Sequence, residues 1–161
     1  MAKFLEEWEA RESLILEALA FQAETDQSWI LSYNEHDTFR NWVCFHVYRI
    51  DDALWMRTFE VIDLWNLELV QREHLLDAGQ CAAFERAWQR MTLAMPFELG
   101  SRNYIKDGSR QSLKCAFEGI QEFHWEFPTK NFDLLQRLIQ VLHQTDGWVQ
   151  GAVHGFLEVE D

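Results

Sequence analysis

An α+β fold with a mostly antiparallel sheet and about three helices is predicted by three observations. Aromatic and β-branched residues recur in short runs, as at Trp42–Ile50, or alternate with polar ones at period two, as in Phe123, Trp125 and Phe127. Apolar residues at helical spacing occur in three separate stretches, near the N-terminus, in the middle and near the C-terminus, instead of regularly between strands. Turn-forming pairs, Asp51-Asp52, Asp107-Gly108 and Glu118-Gly119, sit between the candidate strands. A length of 161 residues fits one domain spanning 1–161, large enough to bury a core without disulfides or a structural metal.

In chain order, Phe4, Leu5, Trp8, Ile15 and Leu19 mark a helix over residues 3–24, stopped by the polar run Thr25 to Ser28. Trp29 to Tyr33 reads as a short strand followed by a polar loop, Asn34–Asp37. The run Trp42–Ile50 is the clearest strand, closed by a turn at Asp51-Asp52. Between 54 and 72, Phe59, Val61, Trp65, Leu67 and Leu69 form a period-two face interrupted by Asp63. Two strands meeting in a bend near Asp63 explain the break, with a helix as the alternative; the β-branched and aromatic content favours strands. Asp77 is placed to cap a helix reaching about Met95, with Cys81, Phe84, Trp88 and Met91 or Met95 inward. Residues 103–127 suggest a meander with a hairpin at Asp107-Gly108 and a second turn or a bulge at Glu118-Gly119. Thr129 can start a helix carrying Phe132, Leu135, Leu138, Ile139 and Leu142, and the tail from Gly147 to Val159 alternates as a closing strand. On such a strand Gly147, Gly151 and Gly155 would share a face and permit close packing.

Motifs for chemistry are sparse. There is no P-loop, no G-x-G-x-x-G and no nucleophile elbow. His124-Trp125-Glu126 has the H-x-E spacing of a zinc deaminase but lacks the P-C-x-x-C helix that completes the zinc shell, so it reads as a solvent-facing pair on a strand. Glu35-His36-Asp37 could bind a divalent metal with His46 or His74, although neighbouring residues on one loop seldom converge on one ion and a solvated loop is the better reading. His46, in an apolar strand, is expected to be a core or half-buried histidine; His74, His143 and His154 show no companion group. Cys44, Cys81 and Cys115 are odd in number and far apart, which suits reduced, packed thiols and a cytoplasmic location. The N-terminus has no signal-peptide pattern and no apolar run reaches membrane length. No cofactor and no metal are expected.

Charge is the feature that points to a role. Acids outnumber bases 27 to 14, for a net charge of −13, which argues against direct nucleic-acid binding, and with no apolar run of membrane length no membrane partner is expected either. Eight Trp exceed what a small core needs, because each indole N–H seeks a partner. The expectation is a non-catalytic acidic module that binds a basic protein, such as a nuclease or toxin domain, as an inhibitor, antitoxin or immunity protein. Its partner-binding residues would be Glu35, Asp37, Asp51, Asp52, Trp55, Glu60, Asp63, Trp65 and Glu68, carboxylates interleaved with aromatic anchors. The alternatives are a small-ligand protein or enzyme built on His46, His124 and Glu126 around Trp125, and a structural or adaptor subunit.

Overall fold

A computed structural model of the chain describes residues 28–37, 42–63, 68–95, 109–125 and 132–147, with isolated positions between 3 and 14. The strands are β1 (Trp29–Asp37), β2 (Trp42–Ile50), β3 (Ala53–Asp63), β4 (Glu68–Leu75), β5 (Ser109–Ala116) and β6 (Ile120–Trp125). The helices are α1 (Ala78–Leu93), between β4 and β5, and α2 (Phe132–Asp146), after β6. All strand pairs are antiparallel, in the order β4-β3-β2-β1-β5-β6. The α+β expectation therefore holds, with two helices among the described residues instead of three. The predicted N-terminal helix, the Asp107-Gly108 turn, Thr129 and the tail beyond Gly147 lie outside the described residues, apart from helical backbone at single positions such as Glu6, Ala10 and Leu14.

Local chemistry accounts for the elements. Every residue of β2 from Trp42 to Tyr48 is buried, so both faces of this strand are covered, as its near-continuous apolar run requires. Asp51 and Asp52 close the β2–β3 hairpin with φ of 47° and 66°; type I′ turns need two such residues, and Asp tolerates the left-handed region. Residues 54–72 are strand on both sides of residues 64–67, and the register shifts between Val61 and Asp63, where the apolar alternation breaks. Glu118 (φ 48°) and Gly119 (φ 100°) make the expected β5–β6 turn.

Two expectations are corrected. Asn34–Asp37 is not a loop but the second half of β1, hydrogen-bonded to β2 on one side and β5 on the other. Pairing on both edges outweighs the weak strand preference of Asn and Asp. Gly147 is not in a strand: it ends α2 with φ 64°, its N–H donating to the Gln144 carbonyl, a common role for glycine at a helix C-terminus.

Both helices cover one face of the sheet. Leu31 and Tyr33 of β1, Val43, Phe45 and Val47 of β2, Leu54 and Met56 of β3, and Leu113 and Cys115 of β5 meet Phe84 and Met91 of α1 and Leu135, Leu138, Ile139 and Leu142 of α2. The α1 start is set by Asp77, whose carboxylate accepts from the Gln80 N–H at 2.8 Å while the Gln80 side chain accepts from the Asp77 N–H at 2.9 Å. This reciprocal capping box satisfies two helix-end donors. Asp77→Ala is expected to lower stability by about 1 kcal/mol in a denaturant titration; an unchanged midpoint would show that the cap is dispensable.

Candidate functional site

The carboxyl end of α2 drives polar groups into the middle of the helix-covered face. Sheet register stacks Tyr33, Phe45, Thr58 and Arg72 in one row across β1 to β4, and Leu31, Val47, Met56 and His74 in the next. Asp146, the last residue of α2, lies over the β3–β4 side of these rows with its side chain fully buried. It accepts from Thr58 Oγ1 at 2.7 Å and from Arg72 Nε and Nη2 at 3.2 and 2.8 Å, and its Oδ1 lies 2.6 Å from His74 Nε2. Arg72 Nη1 donates onward to Glu60 at 2.8 Å. Burial alone would discourage ionisation of Asp146, but the bonds from Arg72, Thr58 and His74 outweigh it and hold the carboxyl below its usual range. The Arg72 guanidinium is correspondingly pushed up, first by its bond to Asp146.

One turn earlier on α2, His143 reaches the β1 side. Its Nε2 lies 3.3 Å from Glu35 Oε2, the same oxygen that accepts from Tyr33 Oη at 2.8 Å. The His143 ring stands edge-on to Phe45, with centroids 4.9 Å apart. Burial, reinforced by the neighbouring Glu35 charge, raises the Tyr33 phenol well above its ordinary range. These groups latch the helix end to four strands. The hydroxyl beside the His74–Asp146 pair, Thr58, is buried at 0% exposure and already donates to the carboxylate, so the arrangement favours fixation over reaction with a substrate.

The opposite face is also largely covered. Trp42, Cys44, His46, Tyr48, Phe59 and Val61 point away from the helix-facing core and are buried. The His46 ring tilts against Phe59 at 5.3 Å, and burial, with a smaller contribution from Arg57, lowers its pKa to about 4. Toward the β4 edge, Glu73 accepts from Tyr48 Oη at 2.9 Å and from Arg57 Nη2 at 2.6 Å, while the guanidinium lies over the Tyr48 ring at 5.1 Å. Arg57 and Tyr48 together hold the Glu73 carboxyl below its usual range. Burial raises the Cys44 thiol strongly and lifts Cys115 to about 12, the inert state expected of packed cysteines.

The residues expected to bind a partner fall into different environments. Asp51 and Asp52 are exposed at the hairpin tip, and Glu68 is exposed at the start of β4. Trp55 is half-buried on the face opposite the helices, across from Tyr48 and Leu75. Glu60 is half-buried and bonded to Arg72, and Glu35 is buried under α2. Asp37 and Asp63 end β1 and β3, while Trp65 lies outside the described residues. Glu35 and His46 occupy opposite faces of the sheet, so they cannot share a metal ion. His124 and Trp125 end β6, and Glu126 lies outside the described residues. The partners of His74 and His143 escape sequence reasoning because they lie 72 and 108 residues away.

Among the described residues no helix is long and apolar enough to cross a membrane. No protein-family model matches the chain, and a search of curated proteins finds no matching sequence.

Proposed function

We propose that the chain is a non-catalytic, cytoplasmic acidic module that binds and occludes a basic protein partner, such as a nuclease or toxin domain, in the manner of an inhibitor or immunity protein. The distribution of charge after folding supports this reading. Each arginine of β2–β4 faces a carboxylate of the same chain: Arg49 faces Glu85 at 3.7 Å, Arg57 faces Glu73, and Arg72 faces Glu60 and Asp146. Asp51, Asp52 and Glu68 remain exposed on the same strands and their turn. These pairs take up three arginines and four carboxylates, so the acidic excess of a chain of net charge −13 is carried by its remaining side chains. Such a surface accelerates encounter with a basic partner, and the effect weakens as salt rises.

The test is affinity capture from the native source at low salt, followed by association kinetics with the captured protein. The informative variant is Asp51→Asn/Asp52→Asn/Glu68→Gln, which removes three charges while keeping residues that tolerate positive φ at the turn. A stoichiometric basic partner whose association slows about tenfold in the variant is expected. Equal association rates for both proteins, or capture of no basic protein, would overturn the reading.

A further inference from the structure

We propose that β4 is a self-association edge, through which two copies of the chain join in an antiparallel β4–β4 pair about a two-fold axis at Arg72. β4 ends the described sheet, with β3 on its one paired side. The backbone direction follows from the register. Leu76 N–H donates to the Leu54 carbonyl at 3.0 Å, continuing the pairing in which Trp55 faces Leu75 and Met56 faces His74. In an antiparallel ladder, hydrogen-bonded pairs alternate with non-hydrogen-bonded ones. Val70, Arg72 and His74 therefore turn their backbone groups toward β3, whereas Leu69, Gln71, Glu73 and Leu75 turn theirs outward. All four outward residues are exposed, Leu69 at 44% and Leu75 at 57%. Such an edge is a template for another strand.

The sequence of this edge selects its occupant and register. With the axis at Arg72, Leu69 pairs with Leu75 of the second copy and Gln71 with its Glu73, each pair occurring twice. Every outward N–H and C=O of the four residues is then bonded, and the two exposed leucines cover each other. An axis at Gln71 leaves Leu75 unpaired; an axis at Glu73 leaves Leu69 unpaired and sets two carboxylates face to face, which is unfavourable. The two Arg72 side chains meet at the axis, but each is held inward by Glu60 and Asp146 of its own copy. The opposing force is general repulsion between two chains of net charge −13, which salt screens. Self-association should therefore strengthen with salt, the reverse of binding to a basic partner, and it does not depend on that binding.

Sedimentation velocity over a concentration series, at about 50 and about 500 mM NaCl, tests the proposal. A monomer–dimer equilibrium favouring dimer at the higher salt is expected. Gln71→Pro removes an outward N–H while sparing the β3–β4 ladder, so it should weaken the dimer at least about tenfold with the fold intact by circular dichroism. Leu69→Lys/Leu75→Glu should dimerise, because opposite charges then face across the axis, whereas Leu69→Lys/Leu75→Lys should not. A monomer at every concentration up to about 100 µM, a dimer indifferent to Gln71→Pro, or equal dimerisation of the two charge variants would each overturn the proposal.

Discussion

Acidification from pH 6.5 to about 4 is expected to cost the native state on the order of 3 kcal/mol at His46 alone. The imidazole is 3% exposed, tilted against Phe59, and set opposite Arg57 in the β2–β3 register. Burial and the nearby guanidinium both disfavour its charged form, so its folded pKa lies below its unfolded one. Well above pH 6.5 the ring is neutral in both states and contributes no pH dependence. As pH falls below 6.5 the unfolded chain takes up a proton that the native state refuses, and stability is lost until the folded pKa near 4 is passed. His46→Leu removes the titrating group and keeps an apolar body against Phe59. Denaturant midpoints measured from pH 7.5 to 4 should fall more steeply for the parent than for the variant. Parallel curves would show that His46 is not held neutral by the fold.

How much of this arrangement is legible in the sequence depends on how local its causes are. The β2 run, the Asp77 cap and the β5–β6 turn are decided by residues within a few positions of one another, and all three follow from composition and spacing. The Asn34–Asp37 segment does not, because its strand character comes from two partner strands, one of them beginning at Ser109. Glu35 looks like a surface acid for the same reason: its partners are Tyr33, two residues away, and His143, 108 residues away. The first alone does not bury a carboxylate. Glu60 resembles a binding residue until Arg72 is seen beside it across the β3–β4 pair. The acids whose exposure agrees with expectation are those at turns and strand starts, Asp51, Asp52 and Glu68, where no long-range partner intervenes.

Asp146→Ala is expected to destabilise the fold by about 3 kcal/mol, the scale seen when one member of a buried, hydrogen-bonded charge pair is removed. Its fully buried carboxylate gathers donors from β3 and β4, so truncation leaves the Thr58 hydroxyl and the Arg72 guanidinium without their acceptor. Arg72 is 29% exposed and retains Glu60, which keeps the cost near the lower end of that range. Asp146→Asn preserves shape and one acceptor oxygen but not charge, and should cost less. Arg72→Met paired with Asp146→Ala in a double-mutant cycle separates the ion pair from the Thr58 bond, since the coupling energy belongs to the pair. Acid should have the same effect as Asp146→Ala. Because the folded pKa is depressed, the contribution is complete above the ordinary value of 3.8 and is lost as pH falls through the lower folded value. The contribution of Asp146 therefore outlasts the His46 transition on acidification, and the two losses separate along the pH axis. A cost for Asp146→Ala below about 1 kcal/mol would mean that Leu135, Leu138, Ile139 and Leu142 hold α2 on the sheet by apolar burial alone.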